Sequence, residues 1–445
     1  MITRVVARTT TAMLVTLAVS ACTAARSRSV NAPSGCCTAG ALASGLSIAE
    51  RYRTDGISAR RFTHAQFWRA VSRSVSRPAL RAEVIGRSML GREIRSVSFG
   101  EGPVAVLLWS QMHGDESTAT MAIADIFRFL AEGEKDGLRE RLRKNLTVVF
   151  VPMLNPDGAE LFQRENAAGI DINRDARRLV TPEARALKEL RDKLQPRFGF
   201  NLHDQGARTR AGTSGPQAAI ALLAPPFNDS RGYNDVRSRA RLVAATIAQA
   251  LGREIPGRIA KYDDSFNPRA FGDLMQQWGT STVLIESGAL PGDPQKQRLR
   301  ALHVGAILIA LDAIATGEYA DADEAAYEAL PYNTSGASDL LILGGQLVLP
   351  KQAPVAADVA INYDDPVART GGRVRDVGDL QGSIAMDTVN AAGLFLHPQA
   401  VLLADGDRGM LLKIGGAAEI DLRRGASQAS ELVRRVRANG GGREP

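Results

Sequence analysis

Two apolar runs that each lead to a histidine constrain this 445-residue chain more than any other feature. Val104 to Trp109 precedes Gln111-Met112-His113-Gly114-Asp115-Glu116, and Phe198-Gly199-Phe200-Asn201-Leu202 ends on His203. Short apolar runs bounded by glycine and polar residues read as buried strands. The sequence therefore predicts a strand ending at His113, a helix start near Glu116, and a neighbouring strand ending at His203. The three side chains then meet beyond the carboxyl ends of a sheet, where α/β proteins build their sites. Two imidazoles and one carboxylate form the ligand set of a catalytic zinc, which keeps its fourth position open. An isolated H-x-x-E spacing is a weak signal, and the bland alternative is a capping or core histidine. Here the chain has only five histidines (His64, His113, His203, His303 and His397), and two of them fall in this pattern.

The surroundings sharpen the reading. Val148-Val149-Phe150-Val151-Pro152 reads as another buried strand, and Asn155-Pro156-Asp157-Gly158 as a tight turn. Arg164 and Asp171-Ile172-Asn173-Arg174-Asp175 follow, and Thr282-Val283-Leu284-Ile285-Glu286-Ser287-Gly288 forms a strand with a carboxylate at its carboxyl end. Together with Ile85-Gly86-Arg87-Ser88 and Gly91-Arg92-Glu93-Ile94, these motifs stand in the order found in the zinc carboxypeptidases (metallocarboxypeptidases, peptidase family M14). From about Val84 to Thr316 the chain resembles that family, in particular its regulatory-type and bacterial branch.

The resemblance implies a mixed central sheet sandwiched by helices and one zinc ion per chain, held by His113, Glu116 and His203. Bound zinc lowers the pKa of its water from about 16 to about 7, and a neighbouring base is still needed. Glu286, a carboxylate at a strand end facing the metal, is the candidate. Asn173 and Arg174 match the family positions that hold the substrate's terminal carboxylate, a task suited to the guanidinium fork. Arg164 matches the position that stabilises the developing oxyanion. Tyr262 is the best match to the family's mobile tyrosine, with Tyr233 as the alternative. Arg269 either favours an acidic side chain or faces solvent. One departure stands out: His203 is followed by Asp204-Gln205-Gly206, where the digestive enzymes carry a small residue and a tyrosine.

The two ends read differently. Arg4 and Arg8 precede an apolar segment from Thr11 to Val19 that is too short to span a bilayer, which marks 1–21 as a secretory signal. Val19-Ser20-Ala21-Cys22 resembles a bacterial lipobox, so Cys22 is the expected lipidation site and the protein is expected at the cell membrane, or secreted if cleavage is simple. Residues 22–60, with Cys36 and Cys37 in a Ser/Gly/Ala-rich stretch, are expected to be a flexible tether. The helix His64 lies on, over Phe62 to Ser76, opens a catalytic domain at 61–319, and a helix from Leu299 to Ala315 closes it, with His303 packing inside. Residues 320–445 form short apolar runs separated by Gly, Asp and Pro, predicting a small C-terminal all-β domain. His397 reads there as a turn group, and Ser427 to Ala438 as a short basic amphipathic helix before a disordered end. Beyond the leader, no segment reads as long and apolar enough to cross a membrane.

The net charge of +7 falls to +5 (7 − 2) without Arg4 and Arg8, and no basic stripe is interleaved with aromatics, which argues against nucleic-acid binding. The expected activity is hydrolysis of the C-terminal peptide bond of peptides in the cell envelope. Cell-wall muropeptides are the alternative substrate. A non-catalytic envelope binding protein is the rival from another class.

Overall fold

The computed structural model describes residues 44–407 and 409–439. The expected leader, Cys22, Cys36 and Cys37 lie outside the described residues. Ten strands come first in chain order. They are β1 (Leu80–Arg87), β2 (Glu93–Phe99), β3 (Val104–Ser110), β4 (Leu146–Val151), β5 (Phe198–Asp204), β6 (Arg210–Ala211), β7 (Ile220–Leu223), β8 (Ile259–Lys261), β9 (Ser281–Ser287) and β10 (Asn333–Thr334). Eight of them form one mixed sheet in the order β1-β2-β4-β3-β5-β9-β7-β8. Strands β4, β3, β5 and β9 run parallel at its centre. Being covered on both faces, these central strands are almost continuously apolar instead of alternating.

The period-2 geometry of a strand sends successive side chains to opposite faces, and the two cores follow from it. Val106, Leu108, Val148 and Phe150 pack with the helices Thr118–Glu132, Asp235–Leu251 and Gln297–Thr316. Leu107, Trp109, Val149 and Val151 pack on the other side with the helices Pro182–Leu194 and Phe271–Gln277. The expected α/β class with a mixed sheet between helices is the observed one. The helix Gln297–Thr316 is, contrary to expectation, long and apolar enough to cross a membrane, with a mean hydropathy of 1.6. It is a core helix instead, most of it buried against the sheet and its neighbours.

The motif Asn155-Pro156-Asp157-Gly158, expected to be a tight turn, starts a helix. Asn155 accepts the Gly158 N–H at 2.9 Å, and proline occupies the first turn of the helix Pro156–Leu161, where its missing N–H costs nothing. Asp157 takes the Arg92 guanidinium at 2.6 Å, the Ser88 hydroxyl at 2.9 Å and the Leu90 N–H at 2.9 Å. The Gly-Arg-Ser and Gly-Arg-Glu motifs thus brace the start of this helix, which packs against the loop bearing His113 and Glu116. Gly114 lies so close to that helix that a Cβ would sit 2.0 Å from the Gly158 carbonyl carbon.

The expected domain limits shift at both ends. Residues 44–60, expected within a flexible tether, are not loose: 44–51 are helical, and Ile48, Ala49 and Ile57 are buried in the main core. Arg300, itself buried, donates to the Thr54 and Ile57 carbonyls at 3.1 and 2.9 Å while paired with Asp125 at 2.5 Å. At the other end Tyr327 is buried in the same core and its hydroxyl accepts the Ala224 N–H at 3.1 Å. Strand β10 pairs with β6 in a separate two-stranded sheet, and the Lys261 N–H of β8 donates to the Pro331 carbonyl at 2.7 Å, so the chain stays joined to the first part beyond the expected limit at 319.

The C-terminal part is all β. Strands Ser338–Leu347, Val355–Asp365, Thr370–Gly378, Ala385–Asn390, Phe395–Pro398, Ile420–Arg423 and Leu432–Val436 form a seven-stranded sheet over its own core. The basic segment expected to be helical is the edge strand Leu432–Val436, because pairing with Ile420–Arg423 satisfies its backbone. His397 is buried, its ring on the Gly425 carbonyl at 2.9 Å, and is no surface turn group.

Candidate active site

Local backbone sets the first ligand pair. β3 ends at Ser110, earlier than expected, because Gln111 adopts a left-handed φ of 49° that breaks the strand. The following helix starts at Thr118, so His113 and Glu116 both sit on the intervening loop. His203 remains on β5, one residue from its end. The ligand atoms of His113, Glu116 and His203 all lie within 4.8 Å of one another, and all three residues are buried. Glu116 Oε1 is 2.7 Å from His113 Nδ1, and Oε2 is 2.6 Å from His203 Nδ1. One carboxylate thus faces two imidazole nitrogens, a donor set that fits zinc.

Neighbouring groups orient the rings. Asp171 Oδ1 is 3.0 Å from His113 Nε2, and Asp171 Oδ2 accepts Arg164 at 2.9 and 3.1 Å. Arg164 also reaches Glu116 Oε1 at 3.3 Å. Asn173 Nδ2 lies 3.4 Å from His203 Nε2, and its Oδ1 accepts the Phe271 N–H at 2.9 Å. A carboxylate or amide behind a ligating ring fixes its tautomer and its direction.

The charges follow from these contacts. Burial lowers the His113 pKa, but the Glu116 charge and the Asp171 bond outweigh it and hold the ring at about 9. Burial dominates at His203 and lowers it. The two imidazoles keep Glu116 below its ordinary range despite its burial. Glu286 goes the other way: burial, joined by the charge of Glu116, raises it well above an ordinary carboxylate. Opposed shifts within one cluster of buried groups are typical of reactive centres.

Eight of the candidate site residues meet in one cavity of about 780 Å³. Its walls include His113, Glu116, His203, Glu286, Arg164, Asn173, Arg174 and Tyr262. The Tyr262 hydroxyl is pushed up to about 12 by the charge of Glu286 and by burial, so it stays protonated as a donor. Tyr233 is elsewhere, exposed, with its hydroxyl on Glu328 at 2.7 Å. Arg269 is exposed, donates to the Arg174 carbonyl at 3.2 Å and is not part of the cavity wall. Cys22 lies outside the described residues.

Several members were not singled out from sequence. Asp171 was in view between Arg164 and Asn173, and a carboxylate two residues before an Asn-Arg pair could have flagged it. Asp273 and Asn201 line the cavity, and burial raises Asp273 to about 7. Asn333 and Ser335 line it from the segment leading to the C-terminal sheet, with Asn333 Nδ2 on Gln205 Oε1 at 3.0 Å. No local signal marks those two.

Residues 65–210 match the family described as zinc carboxypeptidase, Peptidase_M14, and this stretch contains His113, Glu116 and His203. A probable carboxypeptidase 2 of Trichophyton verrucosum is 27% identical over 184 residues, covering 41% of this chain and 33% of that protein. An uncharacterized protein of Zymomonas mobilis is 24% identical over 200 residues, covering 40% of this chain and 52% of that one. The chain thus spans about a third of the length of the fungal relative. Among solved structures, a metallo-carboxypeptidase from Burkholderia cenocepacia is 17% identical with a TM-score of 0.47, over 58% of this chain and 70% of that one.

Proposed function

We propose that the protein is a zinc-dependent carboxypeptidase that removes the C-terminal residue from peptides in the bacterial cell envelope. The observation that carries this reading is the convergence of His113, Glu116 and His203 in a cavity that also holds Glu286 and Arg174. Zinc in that triad supplies Lewis acidity, activating water and polarising a carbonyl. The remaining work falls to side chains. The Arg174 guanidinium, beside Asn173, grips the terminal carboxylate and sets the register of the scissile bond. Glu286 accepts a proton from the attacking water and passes it to the leaving amine, a role that suits a buried carboxylate with a raised pKa. Arg164 offers N–H groups to the developing oxyanion. The Tyr262 hydroxyl, held protonated, donates to the bound peptide.

Envelope residence rests on the leader and on lipidation at Cys22, both expectations from sequence. A muropeptide substrate is the second reading. It is favoured by the polar wall of Asp204, Gln205, Asn333 and Ser335, which suits an amide-rich, hydroxyl-bearing ligand. The test incubates zinc-loaded protein with peptides bearing free or amidated C termini and with muropeptides, and follows products by mass. Stepwise loss of C-terminal residues from free acids alone supports the proposal. Release of internal fragments only, or no turnover of any of them, overturns it.

A further inference from the structure

Asp204, which follows His203 at the end of β5, is the hub of a buried lock. Its backbone N–H donates to ligand Glu116 Oε2 at 3.2 Å. Its carboxylate Oδ2 accepts the Thr118 hydroxyl at 2.6 Å and the Lys296 ammonium at 2.9 Å. Thr118 is the first residue of the helix that follows Glu116, so this oxygen joins the loop carrying one ligand pair to the strand carrying the third. Lys296 reaches in from a different element, the turn before the helix Gln297–Thr316.

Lys296 is an unusual residue for its place. Its φ of 53° and ψ of 31° are left-handed, where glycine or asparagine is ordinary and a lysine is strained. The side chain is almost wholly buried, 6% exposed, as is that of Asp204 at 9%. The turn holds itself without the ammonium: Lys296 N–H donates to the Asp293 carbonyl at 3.0 Å, and Asp293 caps Gln297, Arg298 and Leu299. A buried cation on a strained backbone thus has, among the described residues, one ion-pair partner, the carboxylate next to His203. Strained positions persist where the surrounding structure uses them.

We infer that Lys296, through Asp204 and Thr118, is a positioning residue that holds Glu116 and His203 in the spacing needed to bind zinc. The inference rests on the metal site proposed above. Without the ammonium, Asp204 is a buried carboxylate lacking its ion-pair partner, which turns toward water instead of staying put. That turn frees Thr118 and draws the Asp204 N–H away from Glu116, loosening the ligand set as losses of supporting groups behind metal ligands do.

The test measures zinc affinity of the full chain by competition with a chromophoric chelator, with circular dichroism and melting of the metal-free protein alongside. Lys296→Met is expected to weaken zinc binding roughly 10- to 100-fold, and Lys296→Arg to stay within about threefold of the parent. Thr118→Val, which removes only the hydroxyl, is expected to weaken it to a smaller extent. A purely structural role would lower the melting temperature of Lys296→Met and leave the affinity of its folded fraction at the parent value, which overturns the inference. Should Lys296→Met fail to fold, unchanged affinity in Thr118→Val overturns it. A parent protein that binds no zinc defeats the proposed function itself, a different result from a parent that binds and a Lys296→Met that binds equally well.

Discussion

Glu286 and His203 are direct neighbours in register on the parallel strands β9 and β5, so both side chains leave the same face of the sheet. If His203 holds zinc as proposed, a carboxylate one strand away would stand where it could take a proton from water activated there. Glu286→Gln keeps the shape and removes the proton acceptor. It should retain zinc while lowering kcat by roughly 10²- to 10⁴-fold. Steady-state kinetics with metal analysis checks this, and parental turnover would remove Glu286 from the mechanism.

Removing the metal should remove the activity. Dialysis against a chelator is expected to abolish hydrolysis and zinc readdition to restore it, while His203→Ala is expected to purify without stoichiometric zinc. Elemental analysis beside the assay decides. Turnover that survives complete chelation contradicts the proposal.

Arg174 predicts a requirement for a free carboxylate. Charge-assisted hydrogen bonds contribute about 1.5–3 kcal/mol each. Arg174→Ala should therefore raise KM for free-acid peptides by roughly 10- to 100-fold. Amidated peptides should already be poor substrates of the parent and change little. Equal losses on both would mean that the guanidinium only supports the fold.

The His113 ring, held at about 9 by Glu116 and Asp171 against its burial, is protonated at neutral pH in the metal-free protein. A ring that ligates metal must give that proton up. Zinc binding at pH 7 should release about one proton from it, falling toward none well above pH 9. Calorimetry in buffers of different ionisation enthalpy reads the number directly. A release that does not vary with pH counts against the assignment.

Asp273 links pH to stability. Burial pushes its pKa to about 7 in the folded protein, against about 3.9 in an unfolded chain. Between those values the folded state keeps a proton that the unfolded state has lost. The favourable contribution present at low pH is therefore lost as pH rises through this window, by an amount on the order of a few kcal/mol. Asp273→Asn should flatten the fall, and chemical denaturation at pH 5 and pH 8 measures it. An unchanged slope would show that Asp273 ionises freely.

The ligands and Glu286 were legible because each stands at or near the end of a short apolar run, where sequence reports both the strand and its exit. Helices such as Gln297–Thr316 were legible from their period. What escaped depends on tertiary contact. Lys296 and Asp204 are 92 positions apart, and only the fold makes them partners. Residues 44–60 look like linker by composition, yet Arg300 supplies the donors that order them. The arginine-rich Leu432–Val436 reads as a basic helix until a neighbouring strand offers it hydrogen bonds.

The pairing of β10 with β6 has a practical consequence for anyone separating the mixed sheet from the C-terminal one. A fragment cut at Tyr319 would lose Tyr327 from its interior and Asn333 and Ser335 from the wall of its cavity. The C-terminal sheet is therefore tethered through the rim of that cavity. Shortest usable fragments must keep that strap, even when the sheet beyond it is discarded.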